Sequence, residues 1–209
     1  MTGPQHNKHW DGPPLTAWAA WSPAQVTDLL TGTGVAWCVV GGWAIDLFLN
    51  VQTRTHGDLE IAIARADFAA MRKQLARFEV RSIGDGEVWR IDDTALPPPH
   101  RHQNWVLDIA ADVWRLDVML EPGDNATWIF RRDKSIRAPR ASMVGTTRAG
   151  IPFLKPEGVL LYKAKAQRPK DEADFNVCLP HLDAAARRWL MDALQRAHPG
   201  HPWLTRLAQ

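Results

Sequence analysis

Two carboxylates separated by one residue, Asp58 and Glu60, stand in the run Gly57-Asp58-Leu59-Glu60-Ile61-Ala62-Ile63. Leu59, Ile61 and Ile63 alternate with Asp58, Glu60 and Ala62, the two-residue period of a strand, so residues 58–63 are predicted as β with both acids on one face. Their Cα atoms would lie about 6.6 Å apart, near enough for both carboxylates to lean toward a pair of metal ions about 4 Å from one another. Oxygen-only ligands select a hard cation, Mg²⁺ before Zn²⁺. Two like charges on one face of an apolar strand are unfavourable unless a cation compensates them. Taken alone, Asp-x-Glu reads more simply as a pair of solvated side chains on a half-exposed strand.

A second feature upstream reverses that balance. Gly41-Gly42, whose second glycine precedes Asp58 by 16 positions, follows the apolar run Val35-Ala36-Trp37-Cys38-Val39-Val40. That run reads as a strand buried on both faces, and Trp43 to Asn50 then returns to helical spacing. Two glycines between a strand and a helix let the backbone approach a ligand closely and present free N–H groups where phosphate binds well.

Other chemistries drop out. The chain has no Gly-x-x-x-x-Gly-Lys-[Ser/Thr], no His-Glu-x-x-His and no Gly-x-Ser-x-Gly, and Gly32-Thr33-Gly34 precedes a strand instead of following one. His100-x-His102 follows three prolines without a nearby third ligand and reads as a surface loop. The two cysteines, Cys38 and Cys178, are too far apart in sequence for a metal knuckle and read as small buried hydrophobes. With 25 Lys+Arg against 23 Asp+Glu the net charge is +2, which excludes a general nucleic-acid binder. No secretory h-region and no stretch of 18 apolar residues is found, so the expectation is a cytoplasmic protein without membrane contact.

The elements that must position these residues follow the same periodicities. Ser22-Pro23-Ala24-Gln25 is a capping box opening a helix that stops near Gly32. Asp67 to Phe78 is predicted as an amphipathic helix, and Val80–Ile83 and Val88–Ile91 as a hairpin about Gly84-Asp85-Gly86. Further strands are expected at residues 105–109, 113–120 and 127–130, then helices at 156–167, 171–178 and 183–197. The fold class is α/β (α+β): a mixed sheet with flanking helices and a helical C-terminal part. The chain divides into a flexible N-terminal segment (1–20), a catalytic domain (21–150) and a helical C-terminal region (151–209).

Val39-Val40-Gly41-Gly42-Trp43-Ala44-Ile45-Asp46, then Thr53-Arg54-Thr55-His56-Gly57-Asp58-Leu59-Glu60-Ile61, resembles the nucleotidyltransferases that include aminoglycoside 2''-nucleotidyltransferases and lincosamide nucleotidyltransferases. Leu160-Leu161-Tyr162-Lys163-Ala164-Lys165 and Arg168-Pro169-Lys170-Asp171-Glu172-Ala173-Asp174-Phe175 are similar to the same group, so the likeness runs from about residue 35 to 180. It implies a nucleotidyltransferase fold in which Gly41 and Gly42 hold the nucleotide's phosphates and Asp58 and Glu60 bind Mg²⁺, two ions in all, with Mn²⁺ able to substitute. Glu60 stands where many relatives carry Asp. The resemblance also asks for a third carboxylate from a later strand, Asp117 or Asp108. Asp117 is preferred because it interrupts the longer apolar run, where an unpaired carboxylate costs most. Arg54, Lys163 and Lys170 are the candidates for the triphosphate, Lys165 reads as a solvated helix face, and His56 either helps neutralise phosphate or ties its loop to Asp46.

The implied reaction moves a nucleoside monophosphate, AMP from ATP by default, to a hydroxyl of a small molecule such as an aminoglycoside-like antibiotic. Asp117 would take the hydroxyl proton, and pyrophosphate would leave. Transfer to a protein or RNA hydroxyl, as in toxin–antitoxin pairs, and a silent nucleotide-binding module are the alternatives. A cationic acceptor would call on loop carboxylates, of which Asp85, Glu87, Asp92, Asp93, Asp112 and Glu121 are available; a neutral one would call on the tryptophans. Trp37 and Trp189 fit buried stripes, whereas Trp89, Trp105, Trp114 and Trp128 lie on expected strands without a decided role.

Overall fold

Helix α1 (Pro23–Leu30) begins at the expected capping box: Ser22 Oγ accepts from the Gln25 N–H at 3.3 Å, and Gln25 Oε1 accepts from the Ser22 N–H at 2.8 Å. The structure, a computed structural model, describes residues 10–91 and 96–209. After α1 come β1 (Trp37–Val39), α2 (Gly41–Leu49), β2 (Glu60–Ala64), α3 (Phe68–Gln74), β3 (Glu79–Gly84), β4 (Glu87–Arg90), β5 (Gln103–Asp108) and β6 (Val113–Glu121). The chain continues through β7 (Thr127–Ile129), β8 (Arg137–Pro139), α4 (Arg140–Met143), β9 (Val144–Thr146) and β10 (Pro152–Leu154). It ends in α5 (Pro156–Lys163), α6 (Pro169–Cys178), α7 (Ala184–Ala197) and α8 (Trp203–Leu207).

Eight strands form one mixed sheet in the order β4-β3-β5-β6-β2-β1-β10-β9. Strand β2 is antiparallel to β1 and parallel to β6, which puts it between the strand leading into the glycine pair and the strand carrying Asp117. Its flanks explain its burial: Ala62, on the face of Glu60, is 6% exposed, so the simple alternation of a half-exposed strand gives way to that of a central one. The sheet also draws in β10, which pairs in parallel with β1 through Val39 and Phe153. Residue 150 thus falls in the turn between β9 and β10.

Several expectations need correction. The segment 127–130 is a strand, but it pairs with β8 in a separate two-stranded sheet. Strands β8, β9 and β10 and helix α8 were not anticipated; strands of three residues are too short to display a period. The helix expected over 67–78 is shorter: a 3₁₀ turn at Arg65–Asp67 leads into α3, which stops at Gln74. Leu75 and Phe78 keep their inward positions beyond its end, Leu75 buried and Phe78 edge-on to Trp21 with 5.0 Å between ring centroids. Strand β2 starts at Glu60, leaving Asp58 on the approach to the strand.

Strand β6 has nine residues and β2 only five, so part of one β6 edge would lack a partner. Residues 17–21 fill that place, in line with β2. The Ala19 N–H bonds the Trp114 carbonyl at 3.0 Å, and the Trp21 N–H bonds that of Arg115 at 2.9 Å. One step on, the Asp117 N–H bonds the Leu59 carbonyl at 2.9 Å. Residues 17–21 thus run along the sheet, and residues 1–9 of the segment expected to be flexible lie outside the described residues.

One apolar cluster joins the sheet to its helices. Leu59, Ile61, Ile63, Leu116 and Val118 are all at most 1% exposed and share that cluster with Val26, Leu30, Phe68 and Met71 of α1 and α3, and with Leu160, Phe175, Leu190 and Leu194 of the C-terminal helices. Each such side chain contributes roughly 1.5–3 kcal/mol by leaving water, which fixes β2 and β6 rigidly beneath the polar residues they present. Among the described residues, no helix is long and apolar enough to cross a membrane.

Candidate active site

The parallel register of β2 and β6 sets Glu60 directly beside Asp117. Paired residues share a face, so the two carboxylates emerge side by side on the sheet, with Asp58 preceding Glu60 by one pleat. Asp117 is 1% exposed, Glu60 is partly buried and Asp58 is exposed. Burial and the neighbouring Asp58 charge raise Glu60 above the ordinary carboxylate range, against the pull of Lys163, Lys170 and Arg168. Burial and the Glu60 charge raise Asp117 further still, although Gln103 and Trp105 act the other way.

Asp117 is only half satisfied. The Gln103 amide donates to its Oδ2 at 2.6 Å, whereas Oδ1 is buried with no hydrogen-bond partner. The Trp105 indole N–H leans toward the same carboxylate without completing a hydrogen bond and is itself buried and unpartnered. A buried acceptor left open costs on the order of 1–3 kcal/mol. Such a cost persists where a ligand repays it.

Asp108 occupies a different place. It lies at the end of β5, where Arg115 donates to its Oδ2 from Nη2 at 3.0 Å and from Nε at 3.1 Å. Burial pushes its carboxyl upward, but these bonds and the Ala111 N–H together outweigh it, so the carboxyl sits below the usual range. Of the two candidates, the register puts Asp117 next to Glu60 and gives Asp108 an arginine of its own.

The glycine turn closes onto this row. Gly41, at φ +65°, has the Glu60 carboxylate where a Cβ would stand, and Gly42 has the Arg54 guanidinium and the His56 ring in the corresponding place. Only glycine permits both the left-handed backbone and that approach. The loop before β2 is pinned from the other side. Asp46 of α2, 4% exposed, accepts from the Thr53 N–H at 3.0 Å and from its hydroxyl at 2.6 Å, and meets His56 Nε2 at 2.5 Å. His56 also faces the Trp43 ring at 4.7 Å. Of its two anticipated roles, the tie to Asp46 is the contact present.

The C-terminal helices bring cations to the same place. Lys163, 8% exposed, reaches Asp174 at 2.7 Å and Asp171 at 3.4 Å. Arg54 meets Asp174 at 3.3 Å, and Arg168 meets Asp171 at 2.8 Å. Lys170 is exposed, and its charge, with those of Lys163 and Arg168, is felt by Glu60. All the expected phosphate-side residues, Gly41, Gly42, Arg54, Lys163 and Lys170, thus surround Glu60 or its loop. Arg54 and Lys163, however, are already engaged by buried aspartates. Sequence reasoning assigned no role to Gln103, Arg168, Asp171 or Asp174. Asp171 and Asp174 were visible at helical spacing after Lys163, but Gln103 carries no motif and becomes significant only through the β5–β6 pairing.

The donor set suits a hard divalent cation: two carboxylates in register, one with an open buried oxygen, and a third acid at hand. Among the described residues, no three His, Cys, Asp or Glu side chains are drawn together tightly enough to hold an ion, and Asp58 is the exposed member of the three acids. Of the loop carboxylates, Glu121 accepts from the Tyr162 hydroxyl at 2.8 Å, Asp85, Glu87 and Asp112 are exposed, and Asp92 and Asp93 lie outside the described residues. Trp37, Trp114 and Trp128 are buried; Trp89, Trp105 and Trp189 are only partly so.

The sequence profile of the aminoglycoside-2''-adenylyltransferase family matches residues 24–129, half of the chain and the span holding the glycine turn and all three acids. The chain belongs to this family. It is a nucleotidyltransferase of the adenylyltransferase type, and its fold agrees. Superposed on the solution structure of the antibiotic-resistance factor ANT(2'')-Ia, it gives a TM-score of 0.55 at 14% identity, covering 83% of this chain and 89% of that one. The crystal structure of ANT(2'')-Ia with adenylyl-2''-tobramycin gives the same score and identity, with 83% and 95% covered. The lincomycin-bound lincosamide adenylyltransferase LnuA gives 0.51 at 14% identity, with 79% and 96% covered. At that identity the likeness concerns the fold. No curated protein matches the chain.

Proposed function

We propose that this family member transfers a nucleoside monophosphate, AMP from ATP, to a hydroxyl of a small antibiotic-like molecule and releases pyrophosphate. The observation that carries the reading is the in-register pair Glu60 and Asp117, Glu60 raised by burial and the Asp58 charge and Asp117 by burial and the Glu60 charge, with an open oxygen on Asp117. Mg²⁺ held by Asp58, Glu60 and Asp117, with Mn²⁺ able to replace it, would neutralise charge on the triphosphate and lower the pKa of the acceptor hydroxyl.

The chain's own residues do the rest. The free N–H groups at the start of α2, opened by Gly41 and Gly42, receive phosphate oxygens. Lys170 and Arg168 draw in the departing pyrophosphate, and Lys163 and Arg54, fixed by Asp171 and Asp174, supply a standing positive field. Asp117 Oδ1 takes the acceptor proton as the new P–O bond forms and the bond to the β-phosphate oxygen breaks. The Gln103 amide holds the other oxygen of that carboxylate and so leaves Oδ1 as the open one.

The test is a pyrophosphate-release screen of the four NTPs against an acceptor panel, with mass spectrometry of the products. A product heavier by one AMP, lost in Asp117→Asn and Glu60→Gln, is the expected result. Full activity in either variant overturns the assignment. Labelling only of a co-purifying protein or RNA would move the acceptor to that class.

A further inference from the structure

Among the described residues five acids are buried: Asp46, Asp117, Glu157, Asp171 and Asp174. Asp46 is bonded to Thr53 and His56, Asp171 and Asp174 meet Lys163, Arg168 and Arg54, and Asp117 belongs to the proposed metal site. Glu157 has no such role. It sits in the first turn of α5, 8% exposed, and accepts from its own N–H, but among the described residues no cation reaches ion-pair distance of it. Burial raises its carboxyl above the ordinary range; the more distant Lys155 charge acts against this and the Asp183 charge with it. The helix dipole accounts for an acid in a first turn, but a solvated one would serve it as well. Its burial needs another reason.

Glu157 lines a cavity of about 400 Å³ between the C-terminal end of α2, α4 and the N-terminal turns of α5 and α7. Phe48, Met143, Leu182 and Trp189 supply its apolar walls. The other charged groups on it, Lys155, His181 and Asp183, are more exposed, so Glu157 is the charge that a ligand inside meets. The walls are fixed before anything binds. Arg187 donates to the carbonyls of Leu179 at 2.9 Å and Leu182 at 3.2 Å, Asp183 accepts from the Ala186 N–H at 2.8 Å, and Trp189 is edge-on to Trp128 with 5.7 Å between centroids.

The cavity is separate from the carboxylates of the sheet. Gly41 and Lys163 stand at the ends of α2 and α5 that serve the reaction, whereas Phe48 and Glu157 stand at the opposite ends. About 9–10 Å of helix lies between the two ends in each case.

We infer that this cavity is a second binding site, for a small monoamine whose ammonium group pairs with Glu157 and whose flat apolar body lies against Phe48 and Trp189. The ammonium supplies the counter-charge that the buried carboxylate lacks, and the aromatic walls take the remainder by area and by attraction to the cation. An anion would have to face Glu157 itself. The inference does not depend on the transfer reaction, and binding tests it without turnover.

Calorimetry on the full chain, without nucleotide or metal, compares tryptamine with indole-3-ethanol, which replaces the ammonium by a hydroxyl, and with indole-3-propionate, which reverses the charge. Tryptamine is expected to bind at least about tenfold more tightly than either. Glu157→Gln should shrink that preference below about twofold at an unchanged or higher melting temperature, since a desolvated charge is removed. Ala185→Phe, at an exposed position on the cavity lining, should weaken tryptamine by about tenfold by filling the space with Glu157 left in place. Asp117→Asn should change its Kd by less than about twofold, because the two sites are independent. Absent tryptamine binding, equal binding of the three probes or tighter binding of the acid overturns the inference. So does indifference to either cavity substitution, or a loss of binding in Asp117→Asn, which would place the amine at the sheet carboxylates instead.

Discussion

Two groups of buried charge lie on either side of Glu60 and are built in opposite ways. On the sheet, Glu60 and Asp117 are neighbours of like sign, both pushed upward by burial and repulsion, and Asp117 Oδ1 has no partner. Across α5 and α6, Asp171 and Asp174 are just as buried, yet each oxygen pair is met by Lys163, Arg168 or Arg54. For Asp171, burial pushes upward but the Arg168 bonds and the Lys163 charge outweigh it, and the carboxyl ends below its usual range. Equal burial therefore has opposite consequences. The helix charges hold the chain together; on the sheet the Asp117 Oδ1 is left without a partner, at a cost to stability.

That contrast sharpens most in the largest expected effect. Asp117→Asn and Glu60→Gln should each lower transfer by more than about a hundredfold while leaving the metal-free melting temperature unchanged or higher, since one of two repelling charges is gone. A steady-state assay beside thermal unfolding in EDTA checks both halves, and a large fall in melting temperature would show that the pair is structural.

The helix network should answer the other way. Asp174→Asn leaves Lys163 with only the longer contact to Asp171 and frees Arg54, and is expected to cost about 3 kcal/mol. Urea unfolding measures it, and a loss under about 1 kcal/mol would mean that solvent already compensates these charges.

Gly41→Ala lies between the two regions. The left-handed φ costs about 1–2 kcal/mol, and the new Cβ presses on the Glu60 carboxylate, so nucleotide affinity should fall along with stability. Titration of the variant with ATP and unfolding in parallel separate the two losses. Unchanged affinity would detach the glycine turn from the nucleotide.

The smallest effect is in pH. Glu60 and Asp117, raised in the folded state, contribute stability that is complete below the ordinary carboxylate pKa near 4 and is lost as pH rises through their folded values. Asp171, lowered in the folded state, contributes stability present above that ordinary value and lost as pH falls through its folded value. In EDTA the stability advantage of Asp117→Asn over the parent should grow as pH rises, and the penalty of Asp171→Asn should shrink as the solution is acidified. Parallel pH curves for the two variants would erase the distinction drawn above.

Much of this was readable before any coordinates. The capping box at Ser22, the hairpin closed by Asp85-Gly86, the buried β1 run and the Gly-Gly turn each depend on neighbours within a few positions, and such local physics is written in sequence. The burial of Asp117 was also legible, because a carboxylate inside Val113-Trp114-Arg115-Leu116-Asp117-Val118 interrupts an apolar run. The extent of α3 was not, since Leu75 and Phe78 satisfy a helical spacing while reaching the core from beyond the helix end.

The sequence by itself determined the acid types, their spacing at the entry to β2 and the glycine turn before α2, since side-chain direction along one strand follows from a period of two. Only the tertiary structure decided which partner each charge received. That Asp174 meets Arg54 across 120 positions and that Gln103 holds Asp117 depend on how separate elements pack. So does the place of Trp105 between Asp117 and Arg81, which depends on strand order and register. No local pattern encodes a pairing between distant segments, because register is set by the burial of whole faces and not by the residues that happen to meet.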